Sequence, residues 1–368
     1  MDTSLSDNGA QWLALHLIQG LGNIACKNLL TKFGSPESIF RASLSELMEV
    51  EGVRREVAER IAGRKYTSSP ARLLKSVEKL GVRIIACTDQ EYPAGLREIH
   101  DPPMLLYVKG NEIPRNLTFI ALVGSRNPTA YGLKASEMIG QGLARRGLGV
   151  VSGMARGIDS AAHWGCMQGR GFTIAVMGTG IDIVYPGSNA KLHEKIVEKG
   201  AVISEFPLGT PPEPKNFPIR NRVISGLSKA VVVVEATLKS GSLITASLAL
   251  EQGREVLAVP GSVNSFKSTG CHFLIKQGAR LVENADDIMD ELGLNYEHVP
   301  KSDSFTQAPV PPLEEDEKRV YGMIGDYPLH IDEIARECNL EPGKASSILM
   351  KMELKGIVRQ LPGKMFVR

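Results

Sequence analysis

Apolar and polar positions divide the chain into three stretches of different texture. From residue 11 to about 65 apolar residues recur at helical spacing, first as Trp12, Leu13, Leu15, Leu17 and Ile18 and again as Leu47, Met48 and Val50. Gly20-Leu21-Gly22 and Glu51-Gly52-Val53 interrupt them with tight turns that glycine makes most cheaply. Helices hinged at such turns have the form of a helix-hairpin-helix, whose turn amides hold a phosphate; a helical packing unit is the other reading. We place this helical domain at 1–80.

From 81 to 297 short β-branched runs alternate with helical ones. The pattern predicts strands at 118–123, 149–151, 173–177, 202–204, 230–234 and 255–259, with helices at 131–146, 158–168, 190–199 and 242–252. Strands alternating with helices build βαβ units around a parallel sheet. Ala230-Val231-Val232-Val233-Val234 is apolar on both faces, as a central parallel strand should be. The expected fold class is therefore α/β, with an extended Rossmann-like parallel sheet.

Residues 298–312 are polar and Pro-rich, a composition that buries too little to fold and reads as a linker. From 313 to 368 the pattern gives a helix, a helix-turn-helix and a hairpin turning at Pro362-Gly363, the order of a winged helix. Leu313 to the end carries nine Lys+Arg and ten Asp+Glu, but from Gly343 onward six basic residues face one acidic residue. That basic face suits a nucleic-acid backbone, while Ala345-Ser346-Ser347-Ile348-Leu349-Met350 suits protein packing, so duplex DNA and a protein partner both stay open.

Composition adds limits. The length of 368 residues allows two or three domains at about 150 each. A formal charge of +2 gives no global field toward nucleic acid or membrane. No apolar run nears the ~18 residues of a membrane helix, and MDTSLSDNG lacks a signal-peptide pattern, so no membrane partner is expected. Five scattered cysteines without a CxxC pair fit a reducing cytoplasm and neither a disulfide scaffold nor structural zinc.

Candidate chemistry gathers at strand ends. Gly124-Ser125-Arg126, Gly153 and Gly157, Gly178 and Gly180, Ser240-Gly241-Ser242 and Gly261-Ser262 each follow a predicted strand. In an open α/β sheet ligands bind outside the carboxyl ends, where Gly lets backbone N–H groups and helix N-termini meet an anion. The absence of GxxxxGK[ST] argues against a Walker-type ATP site, and Gly178-x-Gly180 lacks the third glycine of a nicotinamide fingerprint, so no cofactor is expected.

PPEPKNFPIRNR (211–222) reads as an extended, proline-held loop with Lys215, Arg220 and Arg222 around Phe217. Guanidinium groups pair with phosphate and an exposed ring stacks on a base. The alternative is that Phe217 staples the loop to the sheet while Arg222 pairs with Glu205 or Glu235. Asp159 with His163, and Asp182 with Tyr185, are spaced to pair, and Asp182 and Glu235 at strand ends could bind a ribose or act as a base. None joins a nucleophile, and the histidines show no metal-ligand spacing, so no catalytic or metal residue is assigned.

The motifs GSRNPTAYG (124–132), SGMARGIDSAAH (152–163), MGTGIDIVYPGSN (177–189), SEFP (204–207), FPIRNRVISGLS (217–228), VVVEATLKSGSLITASLALEQGREVLAVPG (232–261) and LIKQGA (274–279) resemble the DNA-processing protein A (DprA/Smf) family. That family commonly adds an N-terminal helical domain and a C-terminal winged helix. The resemblance implies a homodimeric mediator, not an enzyme, that binds single-stranded DNA and helps load the RecA recombinase during natural transformation. It implies that Arg126 contacts phosphate and that Lys215 and Phe217 line the same groove. Family members often place the lysine three residues before the Phe, where Pro214 stands here; Lys215 stands two before. The candidate DNA-binding set is Gly124, Ser125, Arg126, Gly153, Gly157, Gly178, Gly180, Lys215, Phe217, Arg220, Asn221, Arg222, Ser240, Gly241 and Ser242. A nucleotide-processing Rossmann enzyme of the phosphoribohydrolase kind is the alternative; its PGGxGTxxE motif is absent, Ser240–Thr245 having no following Glu at that spacing. A structural dimer scaffold is the third reading, and it leaves the glycine edge unexplained.

Overall fold

The structure is a computed structural model that describes residues 3–294, 313–325 and 328–367; the linker expected at 298–312 lies outside the described residues. Nine strands make the main sheet: β1 (Arg83–Ala86), β2 (Leu105–Gly110), β3 (Phe119–Val123), β4 (Gly149–Ser152), β5 (Thr173–Met177), β6 (Ala201–Ser204), β7 (Ala230–Val233), β8 (Glu255–Ala258) and β9 (Arg280–Leu281). Their order is β1-β2-β6-β5-β4-β3-β7-β8-β9. The seven strands from β6 to β9 run parallel, while β2 is antiparallel to both β6 and β1. This is the mostly parallel, Rossmann-like α/β sheet that the strand–helix alternation predicts. β3, β4, β5 and β7 are buried along their whole length, which is why they read as unbroken apolar runs.

Strand order reverses between β3 and β7, the point where an open α/β sheet normally leaves a ligand crevice. Here the chain fills it. The Ser125 N–H donates to the Glu235 carbonyl at 2.7 Å, and the Glu235 carboxylate accepts from the Thr129 N–H at 3.1 Å and from the Thr129 hydroxyl at 2.5 Å. Thr129 in turn caps the helix Ala130–Arg145. The Glu235 carboxylate therefore holds a helix start.

Six helices precede the sheet, from Thr3–His16 to Pro70–Lys79. Gly20 and Gly52 turn between them at φ of 85° and 84°, where a side chain would be strained. Trp12, Leu29, Ile39 and Ile61 join Tyr107 of β2 and Met177 of β5 in one apolar cluster, so these helices bury their inner faces on the sheet.

Two sequence expectations change. The pattern missed β1, β2 and β9; β1 and β9 are short edge strands whose apolar runs are too brief to stand out. The expected extended loop at 211–222 is correct only for its first part, because a helix runs from Asn216 to Gly226. Pro218 is its third residue, and a proline in the first turn costs little since that N–H has no intrahelical acceptor.

At the C-terminal end, helices Glu315–Met323, Ile331–Glu337 and Pro342–Leu354 pack on a three-stranded sheet of β10 (Leu329–His330), β11 (Arg359–Leu361) and β12 (Met365–Val367) in the order β10-β12-β11. The hairpin turns where expected, with Gly363 and Lys364 at φ of 83° and 55°. Val320, Ile334, Leu349, Met352 and Phe366 form its own core. This is a winged helix.

Candidate nucleic-acid interface

A groove of about 390 Å³ opens at the carboxyl ends of β3, β4 and β5. Phe217, the second residue of the helix Asn216–Gly226, lines it. The Arg126 guanidinium carbon stands 5.4 Å from the ring centroid and that of Arg220 5.9 Å. The Tyr185 ring lies 5.6 Å away, tilted by 39°. Cations near an aromatic face are attracted to its quadrupole, so the two arginines and the ring orient one another. Phe217 also covers Gly178: a Cβ there would stand 2.8 Å from Phe217 Cδ1. The ring is half-buried, so it both anchors on the sheet and presents surface to the groove.

The two arginines differ. Arg126 is exposed and, among the described residues, no carboxylate pairs with it. Arg220 is buried; its Nη1 donates to the carbonyls of Gly153, at 2.8 Å, and Val176, while Nε donates to Asn221 Oδ1 at 3.2 Å. Burial pulls the Arg220 guanidinium down to about 10, an effect that Asp159 opposes and Arg126 adds to. It still carries its charge near neutrality, under a groove whose exposed cations include Arg126 and Arg156. Burial likewise raises the Asp159 carboxyl, against Arg220 and the N–H groups of Ala155 and Gly153 that hold its charged form.

The other candidates separate around this cluster. A Cβ at Gly153 would meet Arg220 Nη1 at 2.6 Å, one at Gly124 would meet Ile158 Cγ1 at 2.7 Å, and one at Gly180 would meet Asp182 Oδ1 at 2.6 Å. Gly157 turns at φ 82° to start the helix Ile158–Gln168, and the Ser125 carbonyl accepts the Ile158 N–H at 3.2 Å. These glycines first make room for the protein's own side chains. Asn221 links Arg220 to the more distant turn, its Nδ2 donating to the Gly241 carbonyl at 3.5 Å. Ser240 caps the helix Gly241–Glu251 through the Ser242 N–H.

Lys215 and Arg222 fall outside the cluster. Lys215 Nζ is 2.7 Å from Glu213 on a side chain 75 % exposed. The Arg222 side chain is only 6 % exposed; Nε stands 2.9 Å from Asp101 and Nη2 bonds Glu205. Of the two sequence readings of Arg222, its geometry matches pairing with Glu205, and its guanidinium is not on the groove floor.

The spaced pairs do not form. Asp159 turns to the loop amides while His163 Nδ1 meets the Thr173 hydroxyl at 2.7 Å, and burial pushes that imidazole down to about 3. Asp182 accepts from the Gly209 N–H at 3.0 Å, and Tyr185 turns to Phe217. The sequence reading left Tyr185, Arg156 and Asn127 out of the set although all three line the groove. Arg156 sits within SGMARG and Tyr185 within IDIVYPG, so their place between strand-end glycines was the available signal. Lys267 Nζ also approaches, donating to the Asn127 carbonyl at 2.8 Å.

Comparisons with known proteins agree with this architecture. Residues 83–293 match the family described as DNA recombination-mediator protein A, and residues 305–364 match the DprA winged helix domain. Protein Smf of Synechocystis is 34 % identical, with 98 % of each chain covered. The crystal structure of DNA processing protein A from Streptococcus pneumoniae superposes with a TM-score of 0.68 at 38 % identity, covering 75 % of this chain and 95 % of that one. A structure of the Helicobacter pylori protein, described for its mode of binding single-stranded DNA, gives a TM-score of 0.51 at 28 % identity over 58 % of this chain and all of that one. The chain belongs to the DNA-processing protein A family, also called DprA or Smf.

Proposed function

We propose that this protein binds single-stranded DNA in the groove around Phe217 and acts as a non-enzymatic recombination mediator. The observation that carries the reading is one half-exposed aromatic ring with two guanidinium groups within 5.9 Å of its centroid: the buried, charged Arg220 and the exposed Arg126, which has no carboxylate partner among the described residues. A guanidinium without a carboxylate partner takes a phosphate, and the ring takes a base. The described Helicobacter relative, with its single-stranded DNA binding, supports the same ligand.

In this reading the protein is cytoplasmic, shields incoming DNA and loads the RecA recombinase during natural transformation. Two copies act together, which exposed apolar side chains such as Leu250 and Phe266 support. The winged helix turns exposed Met350 and Leu354 outward, which favours a protein partner over duplex DNA. The domains are 1–80, 81–297 and 313–368, with a linker at 298–312. The bonds that tie the Glu235 carboxylate to Thr129 at the start of a helix weigh against the nucleotide-enzyme alternative, since they give Glu235 a structural role in place of a ribose contact.

Fluorescence anisotropy of labelled single-stranded and duplex oligonucleotides, titrated across a salt series, tests the reading. We expect tighter single-strand binding. Arg126→Ala should weaken it about tenfold or more, as loss of a charged hydrogen bond does, and should flatten the log K against log salt slope by about 0.7. An unchanged affinity in Arg126→Ala would refute the groove assignment. Base or sugar phosphate released from nucleoside monophosphates would favour the enzyme.

A further inference from the structure

Beside the groove lies a second cavity of about 600 Å³, walled by the helices Ala130–Arg145 and Ile158–Gln168. Arg156 lines both cavities, so the two are neighbours through one cationic side chain. Trp164 and Leu133 also line the second cavity; Trp164 is 39 % exposed, even with Arg359 and Val367 of the wing at the same cavity. Lys134 stands exposed beside them. The acidic residue in this wall, Glu137, is bonded by Gln168 Nε2 at 2.5 Å.

Trp164 and Leu133 both keep apolar surface exposed at this one cavity, and apolar surface rimmed by polar residues marks a binding site where a single exposed side chain would not. Lys134, Arg156 and Arg359 line the same cavity, which adjoins the groove proposed above for phosphate and base. Cations tracking a backbone with an aromatic between them are the elements of a single-strand path, and indole offers a broad face for a base.

We propose that the single strand continues from the Phe217 groove past Arg156 and stacks a base on Trp164, with Lys134 and Arg156 on the flanking phosphates. This rests on the reading of the groove as a single-strand site and extends it by one platform. Its occupant is the same strand that fills the groove, which the run of positive charge and the shared Arg156 favour over an apolar peptide.

The chain has two tryptophans, and Trp12 is buried in the N-terminal helices. Intrinsic emission during titration with oligothymidylate therefore reports on Trp164. With about twenty nucleotides we expect saturable quenching that disappears in Trp164→Phe, and Trp164→Ala should weaken binding by about tenfold, the loss of one stack. Binding of a strand of about six nucleotides, short enough to stay in the groove, should be unchanged in both variants, which also shows that they fold. Quenching that persists in Trp164→Phe, or an unchanged long-strand affinity in Trp164→Ala, would overturn the platform. Arg126→Ala separates the two readings: if it weakens both lengths while Trp164→Ala weakens neither, the groove stands and the platform falls. If Arg126→Ala changes nothing while the long strand still quenches Trp164, the groove falls and the platform stands.

Discussion

Glycine at the ends of β4 and β5 is explained by what lies on it. Gly153 and Gly178 leave space for Arg220 and Phe217, the side chains that build the groove. A sequence of strand-end glycines invites the idea that backbone amides alone meet the anion, but the close neighbours of these two are the protein's own cation and ring. Gly178→Ala should therefore act through Phe217. With only 2.8 Å between a Cβ there and Phe217 Cδ1, the ring must swing away. We expect a loss of single-strand affinity of about 1–3 kcal/mol, equal to that of Phe217→Ala, since one stacked base is lost either way. The double variant should bind no worse than either single one, because both remove the same contact. Additive losses would mean that Gly178 meets the DNA directly.

The helix Asn216–Gly226 shows why part of the site could be read from the sequence and part could not. An extended chain places residues i and i+2 on one side, so Arg220 and Arg222 look like a shared cationic floor. A helix turns residues two apart away from each other. Arg220 then enters the groove while Arg222 goes to Asp101 and Glu205. The prolines of 211–218 suggested extension, and nothing local showed that the last of them sits in a helical first turn. The central strands, by contrast, were legible because burial on both faces writes an unbroken apolar run, and Arg126 and Phe217 because they are a cation and a ring beside turn residues. Tyr185 was paired on spacing with Asp182, whereas its partner Phe217 comes from another element. Arg222→Met should leave the nearly buried Glu205 without its cation and cost about 3–5 kcal/mol of stability, as loss of one partner of a buried pair does. Denaturant unfolding measures this. Single-strand affinity of the folded fraction should stay within about twofold, because residues outside a shared contact act independently. Weakened binding at unchanged stability would return Arg222 to the DNA.

With a formal charge of only +2, the protein offers little long-range attraction, so affinity must come from the local cluster and from how many clusters one strand meets. This is where assembly matters. The elements flanking β8 and β9 carry exposed apolar side chains: Leu250, 63 % exposed, on the helix Gly241–Glu251, Phe273 on the helix Thr269–Lys276 and Leu281 on the edge strand β9. Pairing two copies there would remove that surface from water and leave both Phe217 grooves free. A sedimentation mass of two 39.9 kDa chains at micromolar concentration is the expected result, and Leu250→Asp combined with Leu281→Asp should return it to one. Salt dependence then separates assembly from the groove itself, because each neutralised phosphate adds about 0.7 to the slope of log K against log salt. A long strand spanning two grooves should show a slope about twice that of a short one in the dimer. In the double Asp variant that excess should vanish, while short-strand affinity holds because neither leucine lies in the groove. If the variant stays dimeric, the surface is elsewhere; if it becomes monomeric with its long-strand slope intact, one chain supplies the whole path and dimerisation serves a different step.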